Sequence, residues 1–296
     1  MFPEILSQSI IKLLVNTFDP DKKGTAIEIG VGTDNFYSIK YKEAGLECLA
    51  VDPIAYKPFL KIAKERNIHF EEACIYDTEG EITLYSNEYS DLSSINSDWW
   101  GVNEKNQKKV KSILLKTLLI KYNIDKITFL KADTEGSEYE IIKQLTELDQ
   151  SKLPYIIEFE YGGGAFKQSG TAGWDKKFFG KVIALIQTLQ DLNYAQGLII
   201  DSNDIMPVFF DLKTIKDPNE LFKPTYEYGN FLVFKNPINN VAEFESLLLK
   251  TQAFELKKLL DNLYTENAAL GVKVLKAQYL SRIINKVRKM LKSLNR

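Results

Sequence analysis

The sequence predicts an α/β fold: a mostly parallel sheet with helices on both faces. Three observations lead there. Short apolar runs of β type alternate with stretches whose apolar residues recur at helical spacing. A chain of 296 residues that is 45% hydrophobic can bury one sizeable core and carry an appendage. Acidic residues and glycines gather where the apolar runs stop, and in parallel sheets ligands bind beyond the carboxyl ends of the strands.

The elements follow in order. PEILSQSIIKLLVNTF has helical periodicity and is broken by DPDKKG; TAIEIG then reads as a strand. YSIKYKEAG is a helix, LECLAVDP a strand, KPFLKIAKERN a helix and IHFEEACIY a strand, with DTEGE as turn and ITLYS as a short strand. A polar loop dotted with aromatics, SDLSSINSDWWG, leads to the helical VKSILLKTLLIKYN. Strand KITFLKAD, helix SEYEIIKQLTEL and strand PYIIEFEY complete the alternation. The character changes near residue 240, so the expected organisation is a main domain over 1–238 and a helical extension over 239–296. In the extension Leu249, Ala253, Leu256, Leu260, Leu263, Asn267, Leu270, Val274 and Ala277 alternate in four-three steps, as a coiled-coil seam does, with Asn267 as its single polar position. This predicts a homo-oligomer through 249–277; a helix packed back on its own domain is the alternative. Residues 272–296 carry eight Lys or Arg and no acid, with an apolar stripe, which fits peripheral contact with an anionic membrane surface or a partner.

Bulk charge and cysteines narrow the class. A formal net charge of −2 gives no basis for expecting nucleic acid. Cys48 and Cys74 sit in apolar runs without CxxC spacing, which fits a reducing compartment and speaks against a disulfide framework or a cysteine zinc site. No basic segment followed by an apolar core opens the sequence, and no window approaches the roughly 18 apolar residues of a membrane span, so the expectation is a cytoplasmic protein.

Chemistry concentrates at the strand ends. Glu28, Asp52, Asp133 and Glu158 fall at predicted strand ends and are expected to line one crevice. Gly30 and Gly32 permit a tight turn and close backbone approach to a ligand. Asp52 follows at the offset from which a carboxylate accepts ribose hydroxyls. A nicotinamide fingerprint would need a third glycine, but Asn35 follows the pair, and Glu28 inside the turn opposes a dianionic pyrophosphate. A cation suits these acids, and S-adenosylmethionine carries an α-ammonium and a sulfonium.

The segments AIEIGVGTDN, AVDP, ACIYDTEGEITLY, SILLKTLLIKYNIDKITFLKADTEGSEYEII and PYIIEFE, in that order and spacing, resemble the FkbM-type family of S-adenosylmethionine-dependent methyltransferases. LKADTEGSE is the most specific of them, and the likeness runs from about 25 to 235, where YGNFLVFKN resembles the family's final strand. The resemblance implies a class I methyltransferase (Rossmann-like) doubly wound sheet with an antiparallel last strand. It also implies methyl transfer to a hydroxyl, commonly of a sugar, a glycosylated product or a polyketide. By position it assigns Glu28, Gly30 and Gly32 to the first cofactor loop, Asp52 to the ribose, Asp77 to the adenine side and Asp133 to the methionine moiety. Asp34 stands where the family usually has glycine.

Methyl transfer to an alcohol asks a protein to orient the acceptor and take its proton. His69 precedes a strand, away from the crevice end, so the role of base passes to carboxylates: Glu135, two residues beyond Asp133, or Glu158, with Glu160 close by. Glu138 and Glu140 read as acids of a helix's first turn. No ligand spacing demands a metal, and none is assigned. Tyr89, Trp99 and Trp100, or the loop around Gly162, Gly163 and Gly164, are candidates to hold a glycan or other hydroxylated acceptor. A non-catalytic scaffold acting through its coiled coil is the competing reading, and Asp34 is the feature that favours it. A nicotinamide-dependent oxidoreductase is a third.

Overall fold

The computed structural model describes residues 2–86, 93–99, 102–162, 175–204 and 206–270. Helix α1 (Phe2–Phe18) leads into β1 (Thr25–Ile29), α2 (Tyr37–Glu43), β2 (Glu47–Asp52), α3 (Lys57–Arg66) and β3 (His69–Glu72). Next come β4 (Cys74–Ile75), β5 (Gly80–Ser86), β6 (Asn103–Ile113), α4 (Leu115–Lys121), β7 (Ile127–Ala132), α5 (Glu138–Ile142) and β8 (Ile156–Gly162). The chain ends through α6 (Lys176–Asp191), β9 (Gln196–Asp201), β10 (Val208–Asp211), β11 (Tyr228–Phe234) and α7 (Val241–Leu270).

Eight strands form the main sheet in the order β10-β9-β11-β8-β7-β1-β2-β3. The run from β8 to β3 is parallel, while β11 inserts antiparallel between β8 and β9 and β10 closes the edge antiparallel. Burial explains the order. Phe129, Leu130 and Ala132 of β7 and Phe231 and Leu232 of β11 are fully buried, as strands covered on both faces require. One face packs on α4, α5 and α6 through Leu118, Ile141 and Ile186. The other packs on α1, α2, α3 and α7 through Ile10, Tyr41, Phe59 and Phe244. A doubly wound sheet whose order reverses beside β1 opens a crevice where β1 and β7 part at their carboxyl ends.

Several expectations are corrected. IHFEEACIY is not one strand: the chain breaks at Ala73, and Cys74–Ile75 pairs with Ser112–Ile113 of β6 in a separate sheet of order β4-β6-β5. The stretch before α4 is likewise strand, since β6 runs through Val110 to Ile113 and the helix begins at Leu115. Its lysine-rich sequence hides it, because only one side of this small sheet meets the core. SEYEIIKQLTEL makes one short α-turn over Glu138–Ile142 and then tightens to a 3-10 helix at Lys143–Glu147. The sequence reading assigns no elements to 175–227, where the structure has α6, β9 and β10.

In α7, Phe244, Leu248 and Ala253 are buried and Leu249 packs against the same core, so the first two seam positions face the domain rather than a partner helix. From Leu256 onward the seam side chains lie outside the described residues, as does the whole basic segment 272–296. No helix among the described residues is long and apolar enough to cross a membrane.

Candidate active site

A cavity of about 320 Å³ opens at the carboxyl ends of β1, β2 and β7, walled on its far side by Ala73, Cys74, Ile75 and Leu84 of the β3–β5 region. The turn after β1 forms its floor. Gly30 takes φ +82° and Gly32 φ +66°. A Cβ on Gly30 would fall 1.7 Å from the Asp133 carbonyl oxygen, so only glycine lets the β1 turn lie against the end of β7. The two ends are stitched together by Asp133 N–H donating to Ile29 O at 2.9 Å. Asp34 lines the cavity but keeps a negative φ; Asn35 (φ 52°) takes the left-handed step instead, so Asp34 strains nothing in the loop.

Asp52, at the end of β2, is 6% exposed and accepts backbone N–H groups from Val31 (2.9 Å) and Gly32 (3.3 Å) on Oδ2 and from Ile54 (2.8 Å) on Oδ1. Burial pushes its pKa up to about 6, against the pull of those donors. Glu28 also lines the cavity, yet both of its oxygens are engaged by the start of α2. Tyr37 N–H donates to Oε1 at 3.0 Å, and Ser38 donates to Oε2 through its N–H at 2.8 Å and through its hydroxyl. Glu28 therefore anchors α2 against β1 as well as charging the crevice.

The β7 end answers for the four carboxylates of LKADTEGSEYE. Asp133 points into the cavity and pairs with Lys131 at 2.7 Å. Glu135 sits in the left-handed region (φ 56°) and also reaches the cavity. Glu138 instead closes the turn: its carboxylate accepts from Thr134 N–H (2.7 Å), Thr134 Oγ1 (3.0 Å) and Gly136 N–H (3.2 Å). Glu140 pairs with Lys181 of α6 at 2.7 Å.

Two expected positions fall elsewhere. Asp77 lies in the exposed turn after β4, outside the cavity lining, because the break at Ala73 carries the chain into the second sheet. Glu158 is fully buried and also outside the lining; it accepts from the Tyr37 hydroxyl at 2.9 Å, and burial pushes its pKa up to about 7 against the attraction of Lys131. Its neighbour at period two, Glu160, stands nearer the strand's carboxyl end and lines the cavity. That alternation was readable in EFEY. Tyr89, Trp100, Gly163 and Gly164 lie outside the described residues, while Trp99 is buried in a T-shaped contact with Phe178, ring centroids 4.6 Å apart.

Asp133, Glu135 and Glu160 bring carboxylate oxygens within 4.8 Å of one another. Burial pushes Glu135 and Glu160 well above the usual carboxylate range, and the Asp133 charge pushes both further. Burial would raise Asp133 too, but Lys131 overrides it and holds Asp133 below its ordinary value. The cluster thus sets one firm anion, paired with an ammonium, beside two carboxyls that burial and the Asp133 charge make harder to ionise. Lys131 registers directly between Glu28 of β1 and Glu158 of β8 and lies 4.4 Å from the Tyr37 ring centroid. Lys131 and, from α1, Glu4 are lining residues to which the sequence reading gave no role, and Glu160, named there only beside Glu158, is the one of that pair in the lining.

No curated protein matches the sequence. A family model of the methyltransferase FkbM domain matches residues 24–195, which hold the β1 turn, Asp52 and the whole of LKADTEGSE. The match covers more than half of the chain, and the chain belongs to the FkbM methyltransferase domain family.

Proposed function

We propose that this protein is an S-adenosylmethionine-dependent O-methyltransferase acting on a hydroxyl of a sugar, glycan or other hydroxylated metabolite. The charge of the cavity carries the reading: seven carboxyl side chains line it, with Lys131 as the single cation among the described lining residues. Such a wall attracts a cationic ligand and repels a pyrophosphate, which disfavours nicotinamide dinucleotides. The residues fit the cofactor. Asp133, held ionised by Lys131, suits an α-ammonium. Asp52 has about four acceptor positions, three of them filled by backbone N–H groups, and the last suits a ribose hydroxyl. Gly32, where a Cβ would meet nothing within 4 Å, leaves the cavity wall as bare backbone that a ligand can approach closely.

When bound, S-adenosylmethionine supplies a methyl carbon already activated by its sulfonium. The chain's task is then to hold the acceptor hydroxyl in line and to receive its proton. Glu135 and Glu160 face the cavity and are the carboxyls placed for that, in preference to the enclosed Glu158. The apolar wall of Ala73, Cys74, Ile75 and Leu84 suits an adenine ring.

Calorimetric titration of purified protein with S-adenosylmethionine, and separately with NAD, tests the reading. Micromolar binding of the first alone, lost in both Asp52→Ala and Asp133→Ala, supports it. Binding of NAD, or of neither ligand, sinks it.

A further inference from the structure

Helices α1 and α7 pack against each other, and their ends show the sense in which they run. Phe18, the last residue of α1, stacks on Phe234 with ring centroids 4.9 Å apart, and Phe234 meets Phe244 from the start of α7. Phe234 registers with Ile156, the first residue of β8, so this aromatic junction marks the amino end of the parallel strands. From there α7 climbs antiparallel to α1 toward the other end, where Glu4 lines the cavity. It is still seated three turns on, at Gln252 and Ala253, both buried.

The two helices differ in length. α1 has 17 residues and α7 has 30. At roughly 1.5 Å per residue the α7 backbone outruns α1 by about 20 Å. That surplus projects from the end of the sheet at which the cavity opens. From Leu270 the sequence goes on into 272–296, which has eight Lys or Arg and no acid. Along it Leu275, Tyr279, Ile283, Val287, Met290 and Leu294 recur at helical spacing.

Charge and apolar pattern together select the occupant. A polyanion in solution uses the basic residues alone, and a second copy of this chain brings the same positive charge to the contact. An anionic bilayer takes both, the charges at its headgroups and the apolar residues at the acyl boundary. The acidic cavity does not oppose this. At physiological salt the screening length is about 8 Å, and the α7 surplus stands the carboxylates off by about 20 Å. We propose that α7 is a spacer that carries segment 272–296 to an anionic membrane, with the mouth of the cavity toward the bilayer. The consequence for the substrate rests on the methyltransferase reading above. The acceptor hydroxyl belongs to a lipid-anchored glycan, on a sugar far enough along its chain to bridge that gap rather than on the one beside the lipid.

The test uses full-length protein and vesicles of phosphatidylcholine with or without phosphatidylglycerol. Cosedimentation is expected with the anionic vesicles only. Replacing Lys286→Gln, Arg288→Gln and Lys289→Gln together should weaken it roughly a hundredfold, and Ile283→Ser with Met290→Ser about tenfold or more. Orientation is read by energy transfer to a dye on the lipid headgroups. Asp34→Cys at the cavity and Asp21→Cys at the amino end each place one exposed thiol for labelling, since Cys48 and Cys74 are buried. Transfer should be stronger from position 34 than from position 21. Absence of vesicle binding overturns the proposal, and so does transfer that is equal or stronger from position 21. Full affinity in the Ile283 and Met290 variant also overturns it, because charge alone would then be acting, as toward any polyanion. Calorimetric S-adenosylmethionine binding on the same samples is read separately: if it persists without vesicle binding, the docking alone fails, and if it is absent while vesicles bind, the enzyme reading alone fails.

Discussion

Gly30 and Gly32 look interchangeable in the sequence and are not. A methyl group on Gly30 collides with the Asp133 carbonyl, whereas one on Gly32 meets nothing within 4 Å. Gly30→Ala should therefore cost about 3 kcal/mol or more and abolish cofactor binding, while Gly32→Ala costs about 1 kcal/mol for its left-handed φ alone. Urea melts and calorimetry on the pair would show it, and equal effects would refute the backbone-contact argument. Asp52 yields a pH prediction. Its pKa of about 6 means that the carboxylate able to accept ribose hydroxyls is lost below that value. Affinity should fall roughly tenfold per pH unit on the acid side, and Asp52→Asn should bind weakly with no such slope. Glu158 acts on stability. Its pKa rises from 4.5 to about 7 on folding, so the folded state holds the extra proton between those values. Its contribution is full below pH 4.5 and is lost as pH climbs through 7, on the order of 3 kcal/mol. Glu158→Gln should flatten the rise in wild-type stability on acidification over that window, measured by urea melts at fixed pH; an unchanged slope would place the titration elsewhere.

Among the elements, what the sequence revealed follows from how many faces each one buries. β1, β2, β7 and β8 are covered on both sides and read as apolar runs, so their carboxyl ends, and with them Glu28, Asp52 and Asp133, were placed by pattern alone. β6 has Lys105, Lys108, Lys109 and Lys111 along eleven residues, and nothing in its local composition separates a half-exposed strand from a loop. Recognising the second sheet required knowing that Cys74–Ile75 leaves β2 for β6, which is a long-range pairing. The same limit hid the seat of Trp99, whose ring meets Phe178 of α6 across about eighty residues of sequence. Heptad spacing in α7 was legible but ambiguous, since a seam facing another helix and one facing α1 have the same period. Phe244 decides for the first turns, packing on Phe234 with ring centroids 6.3 Å apart. Phe244→Ala should cost about 3–5 kcal/mol in a urea melt; a change under about 1 kcal/mol would mean that this part of α7 is not seated on the sheet.

For the molecule as a whole, a net charge of −2 conceals an acidic interior crevice in which burial raises the pKa values of Asp52, Glu135 and Glu160. A cationic ligand lowers the pKa of the carboxyls around it, so S-adenosylmethionine binding near pH 6.5 should release protons. Calorimetry in buffers of different ionisation enthalpy would read this directly, and no release or net uptake would contradict the upward shifts at Asp52, Glu135 and Glu160. Helix α1 lies ahead of the span that sequence likeness assigns to the family, yet it lends Glu4 to the cavity and joins the sheet through Ser7, whose hydroxyl accepts from Asn230. β11, which supplies Asn230, lies beyond that span at its other end and runs through the middle of the sheet. The segment related proteins share is therefore not a unit that can be cut out. A chain begun at residue 24 and stopped at 195 would lose a central strand and uncover the apolar surface on which Leu6, Ile10, Ile11 and Leu14 sit, and such a fragment should aggregate rather than work as a minimal enzyme.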